Sequence, residues 1–169
     1  YYTPKSAWAN IQHLITKDKI IYEAFMLNSN EQSKKYLQEL GYNVVGNKTI
    51  DFLTNDLDKD SYDIVVSNPP YERIKSYKQR KTNLKYMCIK KLLDNDKPFI
   101  ILINSTNTFQ KWYKELVQGK DIKFIFTSKK IQYDKYEEGG LIKIEQKKNA
   151  CSFNAIYMTY KILDKNEWI

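Results

Sequence analysis

Residues 68–71 read Asn-Pro-Pro-Tyr and directly follow the β-branched run Tyr62-Asp63-Ile64-Val65-Val66-Ser67. Two successive prolines, Pro69 and Pro70, remove two backbone donors and hold the chain extended, which leaves carbonyl oxygens rigidly aimed. The Asn68 side-chain oxygen and the Pro69 carbonyl then form a pair of acceptors suited to the two N–H bonds of a planar amine. An exocyclic amine on an aromatic ring is a poor nucleophile because its lone pair is delocalised into the ring. Two acceptors draw it toward tetrahedral geometry and turn the lone pair toward an electrophilic methyl group. Tyr71 supplies a flat face on which the planar substrate stacks, worth about 1–3 kcal/mol. The chemistry is positioning plus hydrogen-bond polarisation, with neither a covalent intermediate nor a metal. The plain alternative is an extended turn in which Asn68 caps and Tyr71 packs.

Other chemistries find less support in the residues. His13 is the only histidine and lies on a segment that reads as helical, so it is expected on a helix surface. Cys88 and Cys151 are far apart, without a Cys or His at ligand spacing, and read as buried thiols rather than as a zinc site or a disulfide. No stretch approaches the roughly 20 apolar residues of a membrane span. No leader pattern is present either, and the chain reads as soluble and intracellular.

The elements that must position the motif alternate. Residues 2–15 read as a leading helix with Pro4 in its first turn, 19–25 as a strand, and 29–40 as a helix capped by Ser29 or Asn30 and stopped by Gly41. Residues 42–46 and 62–67 read as strands. A helix over 74–93 carries Leu84, Met87, Cys88 and Leu92 at helical spacing. The run 98–103 is apolar throughout, as in a strand covered on both faces. A helix over 108–117, a strand over 122–126, a basic loop or hairpin over 129–148 with Gly139-Gly140, and a strand over 153–162 follow. At 169 residues and 42% hydrophobic composition, with no repeat or linker, the chain reads as a single α/β domain over 1–169. Its sheet is expected to be mostly parallel with helices on both faces, and ligands in such sheets bind at the carboxyl ends of the strands. Glu23 and Asn68 both fall at such ends.

Ser67-Asn68-Pro69-Pro70-Tyr71 resembles the catalytic motif of the class I amino-methyltransferases that use S-adenosylmethionine. The surrounding chain resembles the small DNA adenine-N6 methyltransferases of large DNA viruses and phages. Tyr2-Thr3-Pro4 is similar to their N-terminal cofactor-side motif, and Ile21-Tyr22-Glu23-Ala24-Phe25 to the strand leading into their cofactor loop. Residues 97–100, 130–133 and 151–154 resemble later segments. The resemblance implies a Rossmann-like class I methyltransferase fold with an antiparallel last strand. It also implies a cofactor site formed by Thr3, Glu23, Ala24, Phe25, Asn28, Asp51 and Phe52. There Glu23 accepts from the methionine or ribose end, Asp51 and Phe52 lie by the adenine ring, and Thr3 donates to the cofactor carboxylate. Glu23 also suits a surface charge, and Asp51 a turn. Residues 23–30 depart from the pattern in containing no glycine, and no acidic residue ends the strand Val44-Val45-Gly46.

A net charge of +8 favours a polyanionic partner, although an AT-rich genome yields the same Lys, Asn, Ile and Tyr content. Arg73, Lys75, Lys78, Arg80 and Lys81, with Lys85, Lys90 and Lys91, follow the motif, interleaved with Tyr77 and Tyr86. They are expected to hold phosphates flanking an extruded base, or else to form a solvated helix face. Lys130 joins them, and Tyr133 is the candidate for touching the flipped base. DNA rather than RNA is the expected nucleic acid, with recognition residing in these loops, in a further segment or in a partner. Two other readings stay open. One is the same chemistry on RNA or a protein glutamine, and the other is a non-catalytic methyltransferase-like module that binds nucleic acid or protein.

Overall fold

The computed structural model describes residues 2–26, 30–70, 84–133, 135–137, 140–142 and 154–169. The fold is Rossmann-like α/β. Strands β1 (Ile20–Tyr22), β2 (Asn43–Val45), β3 (Ile64–Ser67), β4 (Phe99–Asn104), β5 (Ile122–Phe126), β8 (Ala155–Tyr160) and β9 (Glu167–Trp168) form one sheet. Between β5 and β8 the chain forms a separate hairpin, β6 (Lys135–Glu137) with β7 (Gly140–Ile142). The sheet order is β2-β1-β3-β4-β8-β5-β9. The pairs β1–β2, β1–β3, β3–β4 and β5–β9 are parallel, while β8 runs antiparallel to both β4 and β5.

Side-chain alternation on these strands produces two cores. Ile21, Ile64, Val66, Ile100, Leu102 and Tyr157 face helices α1 (Lys5–Ala9) and α2 (Gln32–Glu39), which contribute Ala7, Trp8 and Leu37. On the opposite face, Tyr22, Val65, Phe99, Ile101, Ile103 and Met158 meet α3 (Leu84–Asn95) and α4 (Lys111–Val117) through Ile89, Leu92, Leu93 and Tyr113. Burial on both faces explains the uninterrupted apolar run of β4.

Local departures from the expected elements have identifiable causes. The leading helix is shorter than 2–15, with five residues of α1 and then a 3₁₀ turn at Gln12–Leu14. Pro4 is its extended N-cap, and a residue preceding proline avoids the helical region, so Thr3 lies outside the helix. Before α2, Asn30 Oδ1 accepts from Gln32 N–H at 3.2 Å, while Glu31 is the N-cap in a left-handed conformation. Gly41 ends α2 at φ 91°, as its residue type suggests. In α3 the inward positions are Cys88, Ile89, Leu92 and Leu93, and Met87 is exposed; residues 74–83 of the expected helix lie outside the described residues. The helix expected over 108–117 divides into a 3₁₀ turn at Ser105–Phe109 and α4. β8 is the antiparallel strand but not the last one, because two-residue β9 pairs with β5 and stacks Trp168 on Phe126, centroids 4.8 Å apart. It is also buried along its whole length, since it sits between two other strands.

From β1 the chain crosses outward to β2 and then returns to β3 on the other side of β1. This reversal makes the carboxyl ends of β1 and β3 the switch point of the sheet, the place where ligands of doubly wound sheets bind. Gly46 seals one flank at φ +101°, where a Cβ would stand 2.6 Å from the Glu23 carbonyl oxygen. Gly46→Ala is therefore expected to destabilise the fold by roughly 1–3 kcal/mol in urea unfolding. Gly119→Ala, at φ +73° but with open space around its Cβ, should cost less; equal losses would mean that the contact with Glu23 is unimportant.

Candidate active site at the β1 and β3 ends

β3 is buried throughout and places half-buried Asn68 and buried Pro69 at the switch point of the sheet. Asn68 Nδ2 donates to Thr3 Oγ1 at 3.0 Å, although the two residues are 65 positions apart. Asn68 Oδ1 is buried and accepts no hydrogen bond. Leaving a buried acceptor unpaired costs about 1–3 kcal/mol, so its retention calls for an explanation. Neither Pro69 nor Pro70 carries an N–H that could fold back to fill it.

Beside it, Glu23 is only 4% exposed at the end of β1. Ser67 Oγ donates to Glu23 Oε1, and Phe25 N–H lies 3.4 Å from the same oxygen. Burial pushes the Glu23 carboxyl from 4.5 up to about 7, against the opposing pull of the Ser67 hydroxyl and the Phe25 N–H. Glu31 adds repulsion, and Lys34 offsets part of it. The surface-charge reading of Glu23 is thus overturned by its burial. Ser67, unremarked in the sequence apart from its place before Asn68, ties the carboxyl at the end of β1 to the end of β3. Lys34 was also missed. Its Nζ donates to the Gly46 carbonyl at 2.7 Å, so an ammonium group stands where β2 ends.

The remaining expected cofactor residues divide into groups. Thr3, Glu23 and Ala24 are buried, Phe25 is half-buried, and Asn28 lies outside the described residues. Asp51 takes the turn role. Its Oδ1 accepts from Leu53 N–H at 2.9 Å and its Oδ2 from Thr54 Oγ1 at 2.7 Å. Phe52 is a core residue, 2% exposed, with Phe25 edge-on at 5.1 Å, Tyr22 beside it and Lys91 Nζ 4.9 Å from its centroid. An open aromatic face for an adenine ring is therefore not offered by Phe52 in this conformation.

The basic residues are similarly divided. Lys91 pairs with Asp56 at 3.2 Å and donates to the Phe52 carbonyl, Lys90 pairs with Asp94, and Lys85 is half-buried with its pKa lowered by that burial. Lys130 is exposed. Tyr133 is corrected from a base-contacting residue to a core one, 3% exposed, because residues 131–133 fold back on the sheet with Ile131 and Tyr133 inward and Gln132 outward. Tyr71, Arg73, Lys75, Lys78, Arg80 and Lys81 lie outside the described residues.

Cys88 is buried and held as the thiol, its pKa raised to about 12 by burial. His13 lies at the surface, 3.4 Å from a Glu167 carboxylate oxygen. Among the described residues, no group of three or more His, Cys, Asp or Glu could hold a metal ion, and no helix is long and apolar enough to cross a membrane. Comparison with protein-family models finds no match, and comparison with curated proteins finds none either.

The Glu23 environment carries a pH signature. Unfolding returns the carboxyl to its ordinary value, so the unfolded chain ionises first as pH rises from 4.5, and the folded state loses stability until pH reaches about 7. Glu23→Gln stays neutral and can still accept from Ser67. It should therefore lack that slope, exceeding the wild type by roughly 3 kcal/mol at about pH 8 and by almost nothing near pH 4. Urea unfolding over a pH series checks this, and identical slopes for the two proteins would exclude Glu23 as the titrating group.

Proposed function

We propose that this chain transfers a methyl group from S-adenosylmethionine to the exocyclic N6 amine of adenine in DNA. The observation that carries the reading is the Asn68 amide, its nitrogen tied to Thr3 and its buried oxygen left without a partner. An acceptor held in this way, followed by two residues that cannot donate, suits the N–H of a planar amine. Asn68 Oδ1 and the Pro69 carbonyl accept the two amine hydrogens, which localises the lone pair on nitrogen. The nitrogen would take the methyl group as the methyl–sulfur bond of the sulfonium breaks with its electron pair going to sulfur, and the surplus N–H proton would pass to solvent water.

The burial of Glu23 next to the Asn68 strand end and its bond from Ser67 support a role for its carboxyl as an acceptor for an ammonium or a ribose hydroxyl of the cofactor. When bound, S-adenosylmethionine supplies the electrophilic methyl group. Tyr71 stacks the base, and Arg73, Lys75, Lys78, Arg80 and Lys81, with Lys130, hold the flanking phosphates. Sequence recognition belongs to these loops, to a further segment or to a partner.

A second reading is favoured by a specific observation. The Asp51 carboxylate and the Phe52 ring are already engaged within the fold, and residues 23–30 lack glycine. These features suit a methyltransferase-like module that binds nucleic acid or protein without catalysis. Calorimetry at millimolar S-adenosylmethionine separates the two readings, because an absence of binding would leave only the second. Labelled cofactor offered with DNA, RNA or protein, followed by nucleoside or peptide analysis, identifies the acceptor, and methyl-adenine from DNA is expected.

Asn68→Ala should lower turnover by roughly 10²–10³-fold while leaving cofactor affinity within about twofold. Unchanged turnover would remove Asn68 from the chemistry. DNA binding should weaken at least about tenfold between roughly 50 and 200 mM salt, and a flat response would contradict phosphate contacts.

A further inference from the structure

We infer that the carboxyl-end rim of the sheet carries a docking surface for an unpaired DNA strand, whose bases stack on Phe109 and Trp168 while Lys129 and Lys130 meet its phosphates. The inference deepens the methyl-transfer reading and rests on it for the choice of DNA. Among the described residues, Phe109 is 86% exposed and Trp168 75%, and Met87 at 36% is the other exposed large apolar side chain. Each ring carries apolar area that a core would bury, so the fold gains no stability from leaving either in water. Topology puts both at the end of the sheet that bears Asn68. Phe109 closes the 3₁₀ turn that leaves the carboxyl end of β4, the strand next to β3, and Trp168 lies in β9 opposite Phe126, the last residue of β5. They also share a face, because Phe109 leads into α4 and Phe126 packs against the same core cluster as α4.

Both rings are mounted on fixed backbone. Trp168 rests on Phe126 at an interplanar angle of 28°, so one indole face is held and the other stays open. The strand end beneath it is fastened twice, by Ile169 N–H donating to the Phe126 carbonyl at 2.9 Å and by Ser128 N–H donating to the Ile169 carbonyl at 2.7 Å. In the turn before Phe109, Asn104 Oδ1 accepts from Thr106 N–H at 3.1 Å and Thr108 Oγ1 donates to the Ser105 carbonyl at 2.7 Å. A platform held in this way loses little freedom when a base stacks on it. Charge points to a polyanion. Lys129 and Lys130 follow Phe126 closely, are exposed, and form no ion pair among the described residues. Of the acids nearby, Glu167 precedes Trp168 and so lies on the opposite face of β9, 3.4 Å from His13, while Glu115 of α4 pairs with Lys111 at 3.7 Å. Neighbouring strands stand about 4.8 Å apart, which puts β9 roughly 19 Å from β3 along the rim, a span that a few nucleotides leading away from the target base cover. Only an unpaired base can stack on a protein ring, and an unpaired strand also spares the cost of extruding the target.

The probe is oligothymidylate, which contains no adenine and so reports binding without methyl transfer. Fluorescence anisotropy of the labelled strand should show affinity falling roughly 5–50-fold in Phe109→Ala and in Trp168→Ala, but less than about threefold in Trp168→Phe, which keeps a ring on Phe126. Binding should also quench tryptophan emission in the wild type, and Trp168→Phe should lose most of that quenching. A duplex of the same length, whose bases are paired, should lose less than about twofold in either alanine variant. Absence of wild-type binding, or unchanged oligothymidylate affinity in either alanine variant, overturns the inference. So does an equal loss on the duplex, and so does a wild-type dimer that either variant converts to monomers in sedimentation, since the rings would then cover a second copy. Should Trp168→Ala fail to fold, Phe109→Ala and the quenching in Trp168→Phe still decide. If the wild type binds oligothymidylate through these rings but transfers no methyl group to adenine-containing strands, the methyl-transfer reading fails and the surface stands. Methyl transfer by a wild type whose alanine variants bind normally keeps that reading and removes the surface.

Discussion

The parallel pairing of β1 with β3 is the constraint on which the site depends. Ile21 stands opposite Ile64 and Tyr22 opposite Val65, and the start of the pair is locked from both sides of Asp63. Its N–H donates to the Ile20 carbonyl at 2.9 Å, and its carboxylate accepts from the Ile20 N–H at 2.7 Å. With that register set, the residues leaving the two strands must emerge side by side. A slip of one residue would turn every side chain of β3 to the wrong face and separate Ser67 from Glu23.

Two polar pairs meet there at little cost in exposed surface. One joins Ser67 to Glu23 and the other joins Asn68 to Thr3. The Ser67–Glu23 pair is buried and the Asn68–Thr3 pair partly so, which makes an unpaired atom there expensive. The same burial raises the Glu23 carboxyl toward neutrality and leaves the Asn68 oxygen as the unsatisfied group in the arrangement.

Basic composition is partly a structural device in this chain. Lys34 caps the Gly46 carbonyl, Lys91 the Phe52 carbonyl, Lys97 the Tyr62 carbonyl and Lys17 the Leu40 carbonyl at the end of α2. Lys17 and Lys91 also lie over the rings of Tyr42 and Phe52. Long side chains with an apolar stem and a cationic tip cover loop ends that have no helix or strand partner. A net charge of +8 therefore overstates the charge free to meet a polyanion.

Local pattern determined much of the architecture. The apolar run at β4, the β-branched run at β3, the glycine stop at Gly41 and the alternation of strands with helices each state their own conformation within a few residues. So does the strand-end position of Asn68-Pro69-Pro70, because proline geometry is intrinsic to the residue. Partnership across the chain is a different matter. Whether Asp51 faced a ligand or its own turn, whether Phe52 and Tyr133 lay open or inside, and whether Thr3 met Asn68 depended on which surfaces the sheet brought together. β9 was beyond reach for the same reason, since two residues carry no periodicity and pair only because β5 offers them an edge. Periodicity encodes which way a side chain points relative to its own element, and only the packing of elements decides what it points at.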